Sequence, residues 1–427
     1  MKKLLLLCCM AATLSYGQTP LYLNFISHSE VSDTFDYEMS SADYWLVTDI
    51  ARKIADTVID RQARWDVMVD ANYVRGTLMQ DAGYTNTDDF LEYANNSPYL
   101  DVDPHNHFDT TDGMFSANYN PYNYPDVVHL LDSCGITLTE NIVGGFNWLT
   151  PDDDWTPFQT LVDGNMFPGF SWQADILWGA GSTGHSNDVD DFGIWKPTGP
   201  TPITFFQHSL TNHLTYIGGG CKDNIHFIIR ASDGVLDNTA DEIISNILYL
   251  SDYINGLSSS ANDYYTANVL LNFRDMPVIP AYVDSVTKII DGLQAYVDAG
   301  KIVWATLAEK YEGWNAAHSS ASDYFIYYCD DTPLWLPALG DSPFQVRLYP
   351  NPATGNSVRL ELEGALSEKP EWLSVSDMLG NVIRIVDLSN ADDQLDLNIG
   401  GLSSGIYSVS IISTSGRKLS KQLLISR

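Results

Sequence analysis

The sequence predicts an α/β chain, an irregular (β/α) barrel of about seven strands, followed by a small C-terminal antiparallel β-sandwich. Three observations predict it. From Leu21 to Leu307, apolar runs with strand character alternate with longer runs of helical period. Polar groups gather at the carboxyl ends of several of those strands, where the sites of such barrels lie. After Phe344 the pattern changes to short alternating strands separated by turns.

The 427 residues are 44% hydrophobic, enough for a packed core and more than one average domain. Lys2 and Lys3 precede an apolar run from Leu4 to Leu14 and then Ser15-Tyr16-Gly17, the form of a signal peptide over residues 1–17. That run is too short to span a bilayer, and no other stretch of the mature chain is suited to it. Cleavage leaves Cys134, Cys221 and Cys329, an odd set that allows at most one disulfide. The formal charge of −33 belongs almost wholly to the first domain, because the last 84 residues carry 8 basic and 9 acidic side chains. That sign argues against nucleic acid and suits neutral sugars or bound cations.

The elements follow in order. Leu21 to Glu30 reads as a strand with Leu21, Leu23 and Phe25 on one face and Tyr22, Asn24, Ile26, His28 and Glu30 on the other. Ala42 to Ala63 has apolar residues at Trp45, Ile50, Ile54, Val58 and Ile59, which suits a helix. Asp66 to Asp70 and the Asp101 region are the next strands, Asp126 to Ser133 a helix and Thr137 to Val143 a strand. Gly144 to Gly220, rich in Gly, Pro and Trp, reads as an insertion or a set of binding loops. Regularity returns with strands at Asn224 to Arg230, Ala267 to Arg274 and Lys301 to Leu307, and helices at Thr239 to Ile254 and Pro280 to Ala299. The barrel domain therefore spans 18–330, a Pro-rich linker 331–343, and the last domain 344–427.

The chemistry concentrates at Asp101-Val-Asp-Pro-His-Asn-His-Phe-Asp109. Extended, it places Asp101, Asp103, His105, His107 and Asp109 on one face, and a divalent cation is a compact way to satisfy such a face when buried. Glu30, His105 and His107 are the candidate ligands of zinc or a similar ion, with a position left open for water. Asp103 is the candidate base and His28 the candidate acid or substitute ligand. Trp148, Trp172, Trp178 and Trp195, with Tyr73, lie in expected loop regions and offer flat faces to sugar rings. His185, Asp188, Asp190 and Asp191 form a second polar cluster that suits a solvated loop or a calcium ion. His208 and His213 have no assigned partner, and His226 and Arg230 share a strand face.

Two resemblances add to this. Tyr349-Pro-Asn-Pro-Ala353, Asp377-Met-Leu-Gly-Asn381, Leu402-Ser-Ser-Gly-Ile-Tyr407 and the closing Gly416 to Ile425 resemble the C-terminal sorting domain of type IX secretion. The resemblance implies the type IX machinery as partner and a secreted or cell-surface protein. More distantly, the first domain resembles the polysaccharide deacetylase superfamily, with Ser27-His-Ser-Glu30 at the acidic motif, His105 and His107 at the metal-binding histidine pair, and Gly193 to Pro197 at a substrate-facing loop. The chain lacks that family's paired aspartates on the first strand, and its histidines are closer in sequence. The implied function is a metal-dependent hydrolase acting on extracellular carbohydrate. The alternatives are a non-catalytic glycan-binding protein on a degenerate barrel, and a glycoside hydrolase using two carboxylates among Glu30, Glu140 and Glu309.

Overall fold

Strand β1, Leu21–His28, is buried on both faces and lies at the middle of a parallel sheet. In the computed structural model the described residues are 19–29, 36–81, 89–107, 120–147, 155–181, 191–200, 205, 208–220, 225–229, 234, 236–256, 264–318, 327–328, 345–351, 353–363, 370–377, 382–388, 394–413 and 418–425. The expected signal peptide and linker lie outside them. The chain divides into two compact units, Met1–Tyr328 and Cys329–Arg427.

One edge of β1 pairs along its whole length with β12, Tyr265–Asn272. The other edge is shared: β13, Ile302–Trp304, pairs with Leu21 to Leu23, and β2, Trp65–Val69, with Phe25 to His28. Beyond β2 lies β3, Leu100–Pro104, and beyond β12 lies β11, His226–Phe227, all parallel. A second sheet runs β4 (Ile142–Asn147), β7 (Ile176–Gly181), β10 (Thr215–Ile217) and β9 (Ile194–Trp195), parallel except for the last pair. Among the described residues, two backbone contacts mark where the sheets meet. His105 forms a parallel bridge with Gly144, and the Asn268 amide donates to the Gly219 carbonyl at 3.0 Å. Short antiparallel pairs join β5 (Val162–Asp163) to β6 (Ser171–Trp172) and β8 (Asp191–Phe192) to β14 (Tyr327–Tyr328).

Helices cover the first sheet because their apolar positions recur at helical spacing. Helix α1, Ser41–Asp60, buries Val47, Ala51, Ile54, Ala55 and Val58, and the Ser40 side chain caps it by accepting from the Asp43 N–H. Asp70 caps α2, Ala71–Gly76, in the same way, and α3, Phe90–Asn95, follows. Helix α4, Tyr124–Ser133, opens with a capping box between Asn123 and Asp126 and with Pro125 in its first turn. Helices α5, Ala240–Gly256, and α6, Tyr282–Asp298, complete the layer. Among the described residues, no helix is long and apolar enough to cross a membrane.

The opposite face of β1 packs Tyr22 and Ile26 with Met68, Ile142, Ile176, Trp178, Ile217 and Leu270. Closing this cluster is α7, Leu307–His318, through Leu307, Ala308 and Trp314. Each such aliphatic side chain contributes about 1.5–3 kcal/mol on burial. Two expectations are corrected here. The span 144–220 is not an insertion, because it supplies β7, β9 and β10 of the second sheet. Glu309 does not end a strand: it sits in the first turn of α7, where it exchanges hydrogen bonds with Thr306 and pairs with Arg64 at 2.7 Å.

The second unit consists of two antiparallel sheets. One is β15 (Gln345–Tyr349), β16 (Ser357–Glu363) and β19 (Gln394–Asn398); the other is β18 (Val382–Asp387), β17 (Pro370–Asp377), β20 (Gly405–Ser413) and β21 (Lys418–Ile425). Val358, Leu360 and Leu397 of the first meet Leu373, Val375, Val409, Ile411 and Leu423 of the second in one apolar core. Alternation along each strand does this, since every second side chain faces inward. The motif residues lock the unit. Asn351 accepts from the Leu424 N–H, Ala353 donates to the Leu424 carbonyl, and the Tyr407 hydroxyl donates to the Ser403 carbonyl.

Candidate functional site

Parallel pairing fixes where the polar strand ends lie. His28 closes β1 beside Met68 of β2 and Asn272 of β12, while Asp103 of β3 pairs across from Met68. One step past β3, the His105 N–H donates to the Val69 carbonyl at 2.9 Å, which carries its side chain to the same end. The His28 and His105 rings stack with centroids 3.9 Å apart and planes at 23°. His107 meets His105 edge to face, at 4.9 Å and 87°. His28, Asp103 and His105 are buried, and His107 is half-buried.

Two glycines of β4 make the bed for the His105 ring. A Cβ at Gly144 would lie 2.5 Å from the Met68 sulfur and 3.2 Å from His105 Nδ1. Gly145 has φ +99°, and a Cβ there would lie 2.7 Å from both His105 Cε1 and the Asn106 carbonyl oxygen. Around the histidines, Asp70 accepts from the Ser29 hydroxyl at 3.1 Å and the Tyr73 N–H at 2.9 Å, tying β1 to α2. Asn120 donates to Asn106 Oδ1 and to the His107 carbonyl, and Asn106 donates to the Tyr122 carbonyl. Arg75 lies over the Tyr122 ring at 5.3 Å and pairs with Glu38 at 2.5 Å.

Beneath the histidines the same faces carry buried charge. Asp66 accepts from Asn24 at 2.5 Å and from the Leu307 N–H at 3.0 Å, and Lys310 donates to Asn24 and to the Ala267 carbonyl. Burial, helped by the neighbouring Asp101, pushes the Asp66 carboxyl well up. Burial likewise pulls the Lys310 ammonium down, against the attraction of Asp66.

The remaining candidates divide. Glu30, Trp148, His185, Asp188, Asp190 and Arg230 lie outside the described residues, as do Cys221 and Cys329. Trp172, Trp195 and Tyr73 are packed inside: Trp195 is fully buried and donates to the Phe205 carbonyl, and Trp172 donates to Asn141. Their ring faces are covered by protein, so core packing takes the place of the sugar-facing role. Ile194 and Trp195 of the expected substrate-facing loop are a buried strand. Trp178 alone of the described tryptophans reaches the histidines, with its ring 5.5 Å from that of His28 at 68°. His208 accepts from the Lys196 N–H, His213 pairs with Asp175, and His226 lies buried on β11. Glu140 precedes β4 and so stands at the amino end of that strand, away from the histidines. Cys134 is a free thiol that burial pushes up to about 12. Among the described residues, no group of three His, Cys, Asp or Glu is arranged to hold a metal ion. The described donors therefore do not by themselves fit a metal centre. Sequence reasoning missed Gly144, Gly145, Asn24 and Asn268; the glycine pair at a strand end was the signal available for the first two.

Residues 347–426 match the family model of the secretion system C-terminal sorting domain. No curated protein matches the chain. Among solved structures, a candidate glycoside hydrolase/deacetylase from Parabacteroides distasonis is 11% identical over 88% of this chain and 87% of that one, with a TM-score of 0.39. The 4-alpha-glucanotransferase from Thermococcus litoralis is 9% identical over 73% of this chain and 42% of that one, with a TM-score of 0.33. An immunoglobulin-like β-sandwich protein of the DUF3244 family from Bacteroides vulgatus is 18% identical over 19% of this chain and 82% of that one, with a TM-score of 0.16. These scores are low and establish no shared fold or activity. The sorting match is of another kind, because it falls on the residues that lock the second unit together. Residues 347–426 are a type IX secretion C-terminal sorting domain, and the chain is an exported protein, secreted or held at the cell surface.

Proposed function

We propose that the first unit is a carbohydrate-active hydrolase working outside the cell, with His28, His105 and His107 as its working groups. The observation that carries this reading is the meeting of His28 and His105, which come from different strands and are brought together where parallel α/β strands end. Support for an irregular barrel as the scaffold comes from the two junctions between the parallel sheets, at His105 with Gly144 and at Asn268 with Gly219.

The chemistry that suits these residues is acyl transfer from a sugar ester to water. A neutral imidazole accepts a proton from water as the water oxygen bonds to the carbonyl carbon, and the proton returns to the sugar oxygen as the ester C–O bond breaks. His107, the half-buried member, is the one solvent reaches, and His105 backs it edge-on. Asp103 is buried two positions before His105, at the same end of the sheet. A divalent ion, zinc on Glu30, His105 and His107, is the second reading, and it depends on Glu30, which lies outside the described residues. No step above passes through it.

The test is hydrolysis of acetylated and unacetylated extracellular polysaccharides by the full chain, with acetate and reducing ends measured separately, and with elemental analysis of the same sample. Acetate release abolished by His105→Asn supports the reading. Reducing ends without acetate point to glycosidic cleavage, and sugar binding without either product points to a glycan-binding protein.

A further inference from the structure

Between the histidines and the far end of β1 runs a buried chain of polar side chains that hydrolysis itself does not use. Its members come from five elements: Asn24 of β1, Asp66 of β2, Trp178 of β7, Asn268 of β12 and Lys310 of α7. None is more than 6% exposed. Side-chain amides are ordinarily ambiguous in orientation, but here both ends decide it. The Lys310 ammonium only donates, and it donates to Asn24 Oδ1. Asn24 therefore turns its NH2 to Asp66, which accepts it. Asn268 must then offer its own NH2 to Asn24 Oδ1, at 2.8 Å. That leaves Asn268 Oδ1 for the indole N–H of Trp178, a group that only donates, at 2.9 Å. Each bond in the chain has one allowed direction, and if the Lys310 nitrogen carries only two protons the indole end alone still fixes it, because Trp178 can only donate.

The end of this chain is the ring that touches His28. Trp178 is tethered at its nitrogen and its ring meets that of His28 at 5.5 Å and 68°, while His28 also stacks on the His105 ring. Gly219 lies over the tether, where an added Cβ would meet Asn268 Oδ1 at 3.5 Å and Trp178 Nε1 at 3.6 Å. A side chain longer than alanine at Gly219 would therefore compete with the bond itself.

We infer that Asn268 and Trp178 are positioning residues for His28: the polarised chain fixes the indole, and the indole fixes the imidazole against His105. The inference rests on the reading of His28 as a working group. Satisfying buried polar atoms would by itself explain a loss of stability on mutation, so the test must read something else.

The experiment compares Trp178→Phe, Asn268→Leu and Asn268→Asp in the full chain. Phenylalanine keeps a ring but has no N–H to tether. Leucine removes the acceptor, whereas aspartate keeps it. The readouts are the His28 ring-proton NMR shifts at one pH, assigned by their loss in His28→Gln, and kcat and KM on a small acetyl ester. With the tether cut in the first two variants, the His28 shifts move and kcat falls by about 10–100-fold with KM nearly unchanged, the cost of a misplaced group. Asn268→Asp, which keeps the acceptor for the indole but loses the donor to Asn24, falls between wild type and Asn268→Leu in the His28 shifts. If Trp178→Phe lowers only the melting temperature and leaves the His28 shifts and kcat in place, the inference is overturned. A wild-type chain that hydrolyses no ester overturns the functional reading alone, because the shift comparison still decides the tether.

Discussion

His105 rests on Gly145. The ring and the glycine approach so closely that a methyl group at position 145 would fall 2.7 Å from His105 Cε1, and the φ of +99° is itself unsuited to a side chain. Gly145→Ala should therefore cost about 2–4 kcal/mol from backbone strain and overpacking together. It should also displace His105 from the His28 stack. Denaturant unfolding gives the first quantity, and the His105 ring-proton shifts give the second. Unchanged stability and unchanged shifts would contradict the packing described.

Lys310 and Asp66 belong to one buried network, linked through Asn24. Lys310→Met should destabilise the chain by about 1–3 kcal/mol because Asn24 Oδ1 and the Ala267 carbonyl lose a buried donor and Asp66 loses the neighbouring ammonium, and adding Asp66→Asn should recover part of that loss. Denaturant unfolding of the three proteins checks this. A double variant as unstable as the single one would count against it.

The same pair should mark the pH dependence of stability. Burial raises Asp66 to about 8 and lowers Lys310 to about 7. On folding, Asp66 therefore gains a proton between about pH 4 and 8, and Lys310 loses one between about pH 7 and 10.4. The Asp66 contribution is fully present below about pH 4 and is lost as pH rises towards 8; the Lys310 contribution is present above about pH 10.4 and is lost as pH falls towards 7. Subtracting the double variant from wild type removes the other carboxylates. That difference should fall by about 1.4 kcal/mol per unit between pH 4 and 7, and rise again above pH 8. A flat difference across the range would show that the pair folds with both groups charged.

The second unit should govern where the protein goes. Deleting Phe344 to Arg427 should leave the first unit folded but keep it from the cell exterior, as fractionation and immunoblotting would read. A truncated chain that still appears outside the cell in normal amount would remove the export role of the sorting domain.

Much of the scaffold could be read from periodicity. The alternation in β1 places Asn24 and His28 on one face, and the helical spacing of Trp45, Ile50, Ile54, Val58 and Ile59 locates α1. Strands β7 and β10 were lost because Ile176-Leu-Trp178 and Thr215-Tyr-Ile217 are buried on both faces, so no polar alternation marks them. Helix α7 has no counterpart in the sequence reading, whose last strand ends at Leu307, although Thr306 and Glu309 carry the spacing of a capping box that the structure forms. For the site, the strand-end histidines were legible and their stacking was not, since register between distant segments is a tertiary property. Trp178 and Trp195 look alike in sequence. Only the fold sends one to the histidines and the other into the core.

The most direct measurement is acetate release from acetylated polysaccharide by wild type and by His105→Asn, each at matched folded concentration. The expected result is turnover by wild type and a fall of about 100-fold or more in the variant, with the melting temperature little changed. Equal rates in the two proteins would contradict a catalytic role for the His28 and His105 stack, and the absence of any hydrolysis by wild type would contradict the assignment of the first unit as a hydrolase.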